Sequence, residues 1–287
     1  MEKNLLKVLK ENYNNCSKGH RLISDFVINH FDKAAFMTAS KLGETVGVSE
    51  STVVRFAVSL GFKGYPEFQK CLQELIKNKL TAVQRMELSD DRIGTENLLE
   101  NVMSADVDRI KETLLGISGD DFNEAVEIIA NANTIYIIGN RSASALASFA
   151  EYYFSLMFSY VKRVKSSSTS EMLEQVMRID KNDVIIGFSF PRYSTQTLIG
   201  LKFARDKKAK VVAFTDSDNS PLAPYADYLL VAGSDMASFV DSLVAPLSLL
   251  NALLVAVSIK KKHMISENFK RLETIWEEYN AYDTREQ

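Results

Sequence analysis

Cysteine is nearly missing: Cys16 and Cys71 are the only two in 287 residues, far from C-x-x-C spacing. Isolated thiols of this kind point to a reducing cytosol and away from a disulfide framework or a zinc site. Histidine is as scarce, and His20, His30 and His263 are scattered, so no metal constellation is read and no cofactor is called for. The first residues, Met1 to Lys7, alternate charge with leucine and lack the continuous apolar core of a signal peptide. Long apolar runs are absent, with one near-exception. Leu243 to Ile259 is mostly apolar and is followed by Lys260, Lys261 and Lys262, but it contains Pro246, Ser248, Asn251 and Ser258. It falls short of the ~20 residues that a membrane span needs, so a buried helix is the expectation. No internal repeat or low-complexity tract is visible.

What is there is ordinary in bulk and uneven in charge. The apolar share of 46% and the charged share of 25% are those of a globular protein, and the length allows two domains. Residues 1–85 hold 13 Lys/Arg against 8 Asp/Glu, a net +5, and the remaining residues hold 21 against 29, a net −8, which sum to the −3 of the whole chain. A basic small part ahead of an acidic large part fits a nucleic-acid reader joined to a body that binds something else.

The stretch from Ala39 to Val58 reads as helix, tight turn and helix. Leu42 and Val46 share a face of the first helix. Gly47 stands where the chain reverses, a position suited to the left-handed region, and Val48 seals the turn. Ser49 is an N-cap candidate for the second helix, with Val53, Phe56, Ala57 and Leu60 as its inward stripe. Glu50, Ser51, Thr52, Arg55 and Ser59 then face outward. Short hydroxyls and an arginine suit base edges and phosphates. Gly43 stands where motifs of this kind usually carry Ala, which allows close packing but weakens the helix by about 1 kcal/mol.

Around this motif, residues 1–80 read as all-helical, residues 81–105 as linker and start of a connecting helix, and residues 106–287 as an α/β domain. The connecting helix, from about Glu96 to Leu115, is expected to turn Leu98, Val102, Val107, Ile110 and Leu114 inward. From residue 122 short β-branched runs alternate with helical segments: Thr134–Gly139, Tyr160–Val164, Asp183–Phe188, Lys210–Thr215 and Tyr228–Ala232. That rhythm specifies a doubly wound parallel sheet. An apolar helix from about residue 238 packs against it, and an amphipathic helix over Ser266–Tyr282 suits docking on a partner subunit or neighbouring domain.

Open α/β sheets bind ligands at the carboxyl ends of their strands. Three loops fall there: Gly139 to Ser144, Ser166 to Ser170, and Ser189 to Thr195. Hydroxyls and helix N-termini favour anions, and Arg141 and Arg192 can grip a phosphate or carboxylate bidentately. Arg141, Ser142, Ser144, Ser189, Arg192, Ser194 and Thr195 are therefore the candidate effector residues. Plain helix capping accounts for Ser144 and Thr195 but not for the two arginines.

Nearly the whole chain resembles the RpiR/MurR family of bacterial transcriptional regulators. Val48–Phe56 and Leu60–Phe68 are similar to its helix-turn-helix domain. Ile135–Gly139, Ser189–Thr197, Thr215 with Ser220–Ala223, and Ala226-Asp227 are similar to its sugar isomerase (SIS) domain. The resemblance implies DNA binding through Ser49, Ser51, Thr52, Arg55 and Lys63, control of carbohydrate genes by a phosphorylated sugar or related anionic metabolite, and dimers or tetramers on a two-fold operator. Two loops depart from the family pattern. Arg141 and Ala143 replace a Gly and a Ser in the first, and Pro191 and Arg192 replace a Ser and a Gly in the third. The site has either lost its ligand or been retuned toward a differently shaped or more acidic one. Two rival functions remain. One is a ligand-independent DNA-binding protein whose SIS domain only oligomerises. The other is an SIS-fold sugar-phosphate isomerase, for which Glu151, Glu171 and Glu174 are acid–base candidates by position alone. No catalytic residue is assigned.

Overall fold

The computed structural model describes residues 9, 13, 16–76, 97–234 and 240–279, and it falls into two compact units, one of residues 1–95 with 236–240 and one of 96–235 with 241–287. The expected first helix around Leu5 to Val8 and the polar stretch 81–96 lie outside the described residues.

In the first unit, α1 (Lys18–Asn29), a one-turn α2 (Phe31–Ala34), α3 (Ala39–Val46), α4 (Glu50–Ser59) and α5 (Tyr65–Ile76) surround one core. Ile23, Val27, Leu42, Phe56, Phe68 and Leu72 are wholly buried in it, and Phe56 and Phe68 meet edge to face, 5.8 Å between centroids. From α5, Tyr65 Oη donates to the Met37 carbonyl at 2.7 Å, Gln69 Nε2 to the same oxygen at 2.9 Å, and Gln73 Nε2 to the Ala35 carbonyl at 3.0 Å. These bonds satisfy carbonyls of the connection between α2 and α3. Burial pushes the Tyr65 hydroxyl up to about 12, so it stays a donor at any physiological pH.

The second unit opens with α6 (Leu98–Gly116) and α7 (Gly119–Ala130). Then come β1 (Ile135–Gly139), α8 (Ser144–Met157), β2 (Val161–Val164), α9 (Thr169–Val176), β3 (Val184–Phe188), α10 (Thr195–Asp206), β4 (Lys210–Thr215) and β5 (Tyr228–Val231). Helices α11 (Val244–Lys260) and α12 (Lys262–Glu278) close it. All strand pairs are parallel, in the order β2-β1-β3-β4-β5. Strand pleating sends alternate residues to opposite faces. Ile135 and Ile137 of β1 join the core under α7, α8 and α11, while Tyr136 and Ile138 join the core under α9 and α10. Both faces are covered, which is why the inner strands β1, β3 and β4 read as nearly continuous apolar runs, while the edge strand β2 carries Lys162 and Arg163. Asp227, in the Ala226-Asp227 motif, accepts from Val211 N at 2.8 Å and pairs with Lys210 at 3.3 Å, fastening β5 to β4.

Three expectations need correction. Leu98, Val102, Val107 and Leu114 of α6 are 54%, 41%, 47% and 74% exposed, not inward. The helix packs along α11 and is fixed by two polar bonds: Ser242 Oγ donates to Asp106 Oδ1 at 2.6 Å, and Gly233 N donates to Thr113 Oγ1 at 3.0 Å. Those four side chains are left uncovered, and Ile110 is half-buried. The apolar helix begins at Val244 rather than near residue 238, and the last helix at Lys262 rather than Ser266. Among the described residues no single helix is long and apolar enough to cross a membrane. Helix α11 instead buries Leu249, Leu250, Leu253, Leu254 and Val257 against the sheet.

Candidate nucleic-acid interface and ligand site

The helix-turn-helix is built by two interlocking caps. At the end of α3, Gly47 takes φ 75°, ψ 35°, the left-handed conformation that Gly adopts without a Cβ penalty. Val48 N donates to the Gly43 carbonyl at 2.9 Å and Gly47 N to the Glu44 carbonyl at 3.4 Å, the paired bonds of a Schellman cap. A Cβ at Gly43 would lie 2.7 Å from the Val48 carbonyl oxygen, so the turn folds back too tightly on α3 for any side chain there. Ser49 then caps α4, its Oγ accepting from Thr52 N at 3.3 Å.

This geometry sets the outward face of α4. Ser49 Oγ lies 3.0 Å from Ser51 Oγ and 2.9 Å from Thr52 Oγ1, one hydroxyl cluster at the helix's amino end. Arg55 is exposed, one turn on, and its Nε donates to the Ser51 carbonyl at 3.2 Å. Lys63 is exposed after α4, its backbone N–H held by the Glu67 carboxylate. Four of the five expected DNA-binding residues thus share the amino half of one helix, and Lys63 lies beyond its other end.

The second unit carries the other candidate site. In the strand order β2-β1-β3-β4-β5 the chain reverses direction of growth between β1 and β3, and ligands of such sheets sit in the crevice at the carboxyl ends there. Gly139 and Phe188 are register partners at those ends. Asn140, directly after Gly139, bridges the crevice: its Nδ2 donates to Ser194 Oγ and to Thr197 Oγ1, both at 3.1 Å. Ser189 Oγ accepts from Ser194 N at 3.0 Å, and Ser194 Oγ accepts from Thr197 N at 3.4 Å. Ser194, not Thr195, is therefore the N-cap of α10, and α8 is capped by Ala143 without a side-chain bond, so Ser144 caps nothing. Capping fails as the account of those two residues.

Both arginines take the left-handed backbone, Arg141 at φ 56° and Arg192 at φ 65°, an uncommon choice for residues other than Gly, Asn and Asp. Each is exposed, while Phe190 and Pro191 are buried and anchor the third loop. Ser142 Oγ donates to Asp241 Oδ2 at 3.3 Å, and Tyr193 Oη donates to Asp216 Oδ1 at 2.7 Å. Sequence reasoning missed Asn140, Thr197 and Asp241 as members of this cluster. An amide directly after the strand-ending glycine was the available signal for Asn140. Asp241 lies a hundred residues from its partner and left none.

The serine loop after β2 closes on itself. Ser168 caps α9, while the Glu171 carboxylate accepts from Ser167 N at 3.0 Å and Ser167 Oγ at 3.2 Å. Those bonds hold the Glu171 carboxyl below its usual range. Glu151 pairs with Arg163 at 3.3 Å and Lys165 at 3.7 Å. Both carboxylates are spent on structure. Among the described residues no group of three His, Cys, Asp or Glu could hold a metal.

A family model for the helix-turn-helix domain of the rpiR family matches residues 3–79, and one for the SIS domain matches residues 128–256. The chain belongs to the RpiR family. This RpiR-type regulator is 29% identical over 236 residues to an uncharacterized HTH-type transcriptional regulator of Haemophilus influenzae, covering 80% of each chain. It is 26% identical over 276 residues to the HTH-type transcriptional regulator HexR of Escherichia coli, covering 94% of this chain and 93% of HexR. Among solved structures, the Vibrio vulnificus NanR protein complexed with ManNAc-6P aligns with 95% of this chain and 98% of its own, with a TM-score of 0.58 at 20% identity. The sugar isomerase domain of an RpiR transcription factor from Sphaerobacter thermophilus aligns over 62% of this chain and 99% of its own, with a TM-score of 0.59 at 22% identity. At these identities the structural likeness speaks for the fold: helices, then a five-stranded parallel sheet layered by helices.

Proposed function

We propose that this RpiR-family regulator acts in the cytoplasm as a homodimer or homotetramer. In this reading α4 docks on a two-fold operator of carbohydrate genes, and a phosphorylated sugar or related anionic metabolite at the β1/β3 edge sets its affinity. The observation that carries the reading is the exposed face of Ser49, Ser51 and Arg55 on a properly capped second helix, with Thr52 half-buried at its edge, its methyl toward Gly19 rather than fully outward as expected. Arginines and short hydroxyls at the amino end of such a helix are the groups that read base edges and phosphates. The polar loops at the strand ends, and a fold neighbour complexed with a sugar phosphate, support the ligand half. Self-association is supported by apolar side chains left uncovered on α6 and α11: Leu99, Met103, Leu114, Leu115, Val255 and Ile259 are 50–86% exposed. The ligand would act by favouring one arrangement of the assembly, which spaces the two recognition helices well or badly for the operator.

A second reading rests on the Asn140 bridge. Because Asn140 donates to Ser194 and Thr197, and Ser189 and Ser194 accept backbone N–H groups of the third loop, the loops hold together without a ligand, as a purely oligomerising domain requires. Sequencing genomic fragments captured by the purified protein, at fixed salt, with and without a pool of sugar phosphates, separates the two. Discrete two-fold sites whose occupancy changes with the pool support the ligand-controlled regulator. Discrete sites indifferent to the pool support the second reading. A flat, salt-sensitive background overturns both.

A further inference from the structure

The core takes one side of α4: Val53, Phe56 and Ala57 are buried, and the stripe continues to Leu60. At the helical repeat, the side directly opposite is Ser51, Val54, Arg55 and Val58. All four are exposed, Val54 and Val58 by 36% and 52%. Sequence reasoning placed Glu50 and Ser59 on this face, but each lies about a quarter turn to one side of its centre. The Ser59 hydroxyl is turned back to the Phe56 carbonyl, donating to it at 2.7 Å. The middle of the solvent face is therefore two valines, one turn apart, interleaved with a serine and an arginine. Valine is a poor choice for an exposed helix position, since its branched side chain loses rotamer freedom there and gains no packing.

The neighbours of the valines say what covers them. A partner that meets Arg55 and both valines at once presents acceptors or anions beside methyl groups. It also meets a basic segment, since residues 1–85 carry a net +5. The DNA major groove has that chemistry, with phosphates along its walls, base acceptors on its floor, and the thymine C5-methyl among them. Recognition helices enter it with residues spaced i, i+3, i+4 and i+7, the spacing of this stripe. We infer that Val54 and Val58 are specificity determinants that pack on thymine methyl groups, so that each operator half-site holds thymine at two fixed positions. The inference rests on the DNA reading above. Four residues advance the helix by about 6 Å, against about 3.4 Å per base pair, which sets the two thymines about one or two base pairs apart.

Captured operator fragments supply the site for the test. Each thymine is replaced in turn by deoxyuridine, which keeps the base pair and lacks only the methyl, and the Kd of the full chain is read by fluorescence anisotropy at one salt concentration. The expected result is a loss of about fourfold, the worth of one buried methyl, at two positions of each half-site. Val54→Ala and Val58→Ala, better helix formers at exposed positions, are expected to melt no lower than the unaltered chain. Each is expected to erase the deoxyuridine effect at one of the two positions and keep it at the other, a signature that a general disturbance of α4 would not give. Affinity within twofold at every substituted thymine, or half-sites that hold no thymine, overturns the inference and leaves the DNA reading standing. A methyl effect that persists in both variants overturns the role of the valines. If, with that effect intact, the variants also lower the mass in light scattering, the valines belong to a contact with a second copy. Failure to capture discrete sites overturns the DNA reading, and the inference with it.

Discussion

Arg55 projects from α4 one turn beyond the hydroxyl cluster of Ser49, Ser51 and Thr52, and its worth is read in binding rather than in folding. Arg55→Ala should weaken operator binding by about 1–3 kcal/mol, the value of one good base contact, with the melting temperature unchanged; fluorescence anisotropy on a captured site measures it, and unchanged affinity would mean that α4 presents another face. Gly43 is the opposite case. Ala is the better helix former by about 1 kcal/mol, but its Cβ would press to 2.7 Å from the Val48 carbonyl, and backbone cannot yield cheaply. Gly43→Ala should therefore destabilise by about 1–2 kcal/mol on balance, seen as a lower urea midpoint. Arg141→Gly and Arg192→Gly carry the reverse sign. Relief of left-handed strain, about 1–2 kcal/mol, outweighs the extra freedom of glycine in the unfolded chain, about 0.4–1 kcal/mol. Each variant is expected to melt at the same temperature or slightly higher, and a marked drop would mean that the side chain is part of the packing.

At the scale of elements, what the sequence could show was set by local physics. The Gly47-Val48-Ser49 turn was legible because each residue meets a demand of the backbone within a few positions: a left-handed cap, a seal, an N-cap. The strands were legible because sheets covered on both faces need uninterrupted apolar runs. What was not legible is what depends on distant partners. The stripe on α6 has the right spacing for an inward face, yet spacing alone says nothing about whether one chain supplies the cover, and here Leu98 and Leu114 stay exposed. Nor does the run of lysines at 260–262 announce its contacts: Lys260 pairs with Glu127 on α7, and Lys261 lies 5.3 Å from the centroid of the Phe158 ring. In the strand-end loops the residue types were readable and their bonding was not. Whether Ser194 or Thr195 caps α10 depends on a single backbone φ/ψ, and the Asn140 bridge joins loops more than fifty residues apart.

For the whole molecule, the uncovered stripe gives an expectation about assembly. Leu114 and Leu115 are 74% and 86% exposed, so replacing both with Glu should leave the fold within ~0.5 kcal/mol of its stability while lowering the mass in light scattering; an unchanged mass would place the interface elsewhere. The central claim is that ligand at the sheet edge and operator at α4 are linked through one equilibrium. Linkage requires that if ligand changes operator affinity by some factor, operator changes ligand affinity by the same factor, for allosteric proteins commonly about 5–150-fold. The decisive measurement is that pair of ratios, the operator Kd with and without saturating ligand and the ligand Kd with and without saturating operator, on the full chain at one salt concentration. Two equal factors of at least about five are the predicted result. An operator Kd that ignores a ligand shown to bind would contradict the account.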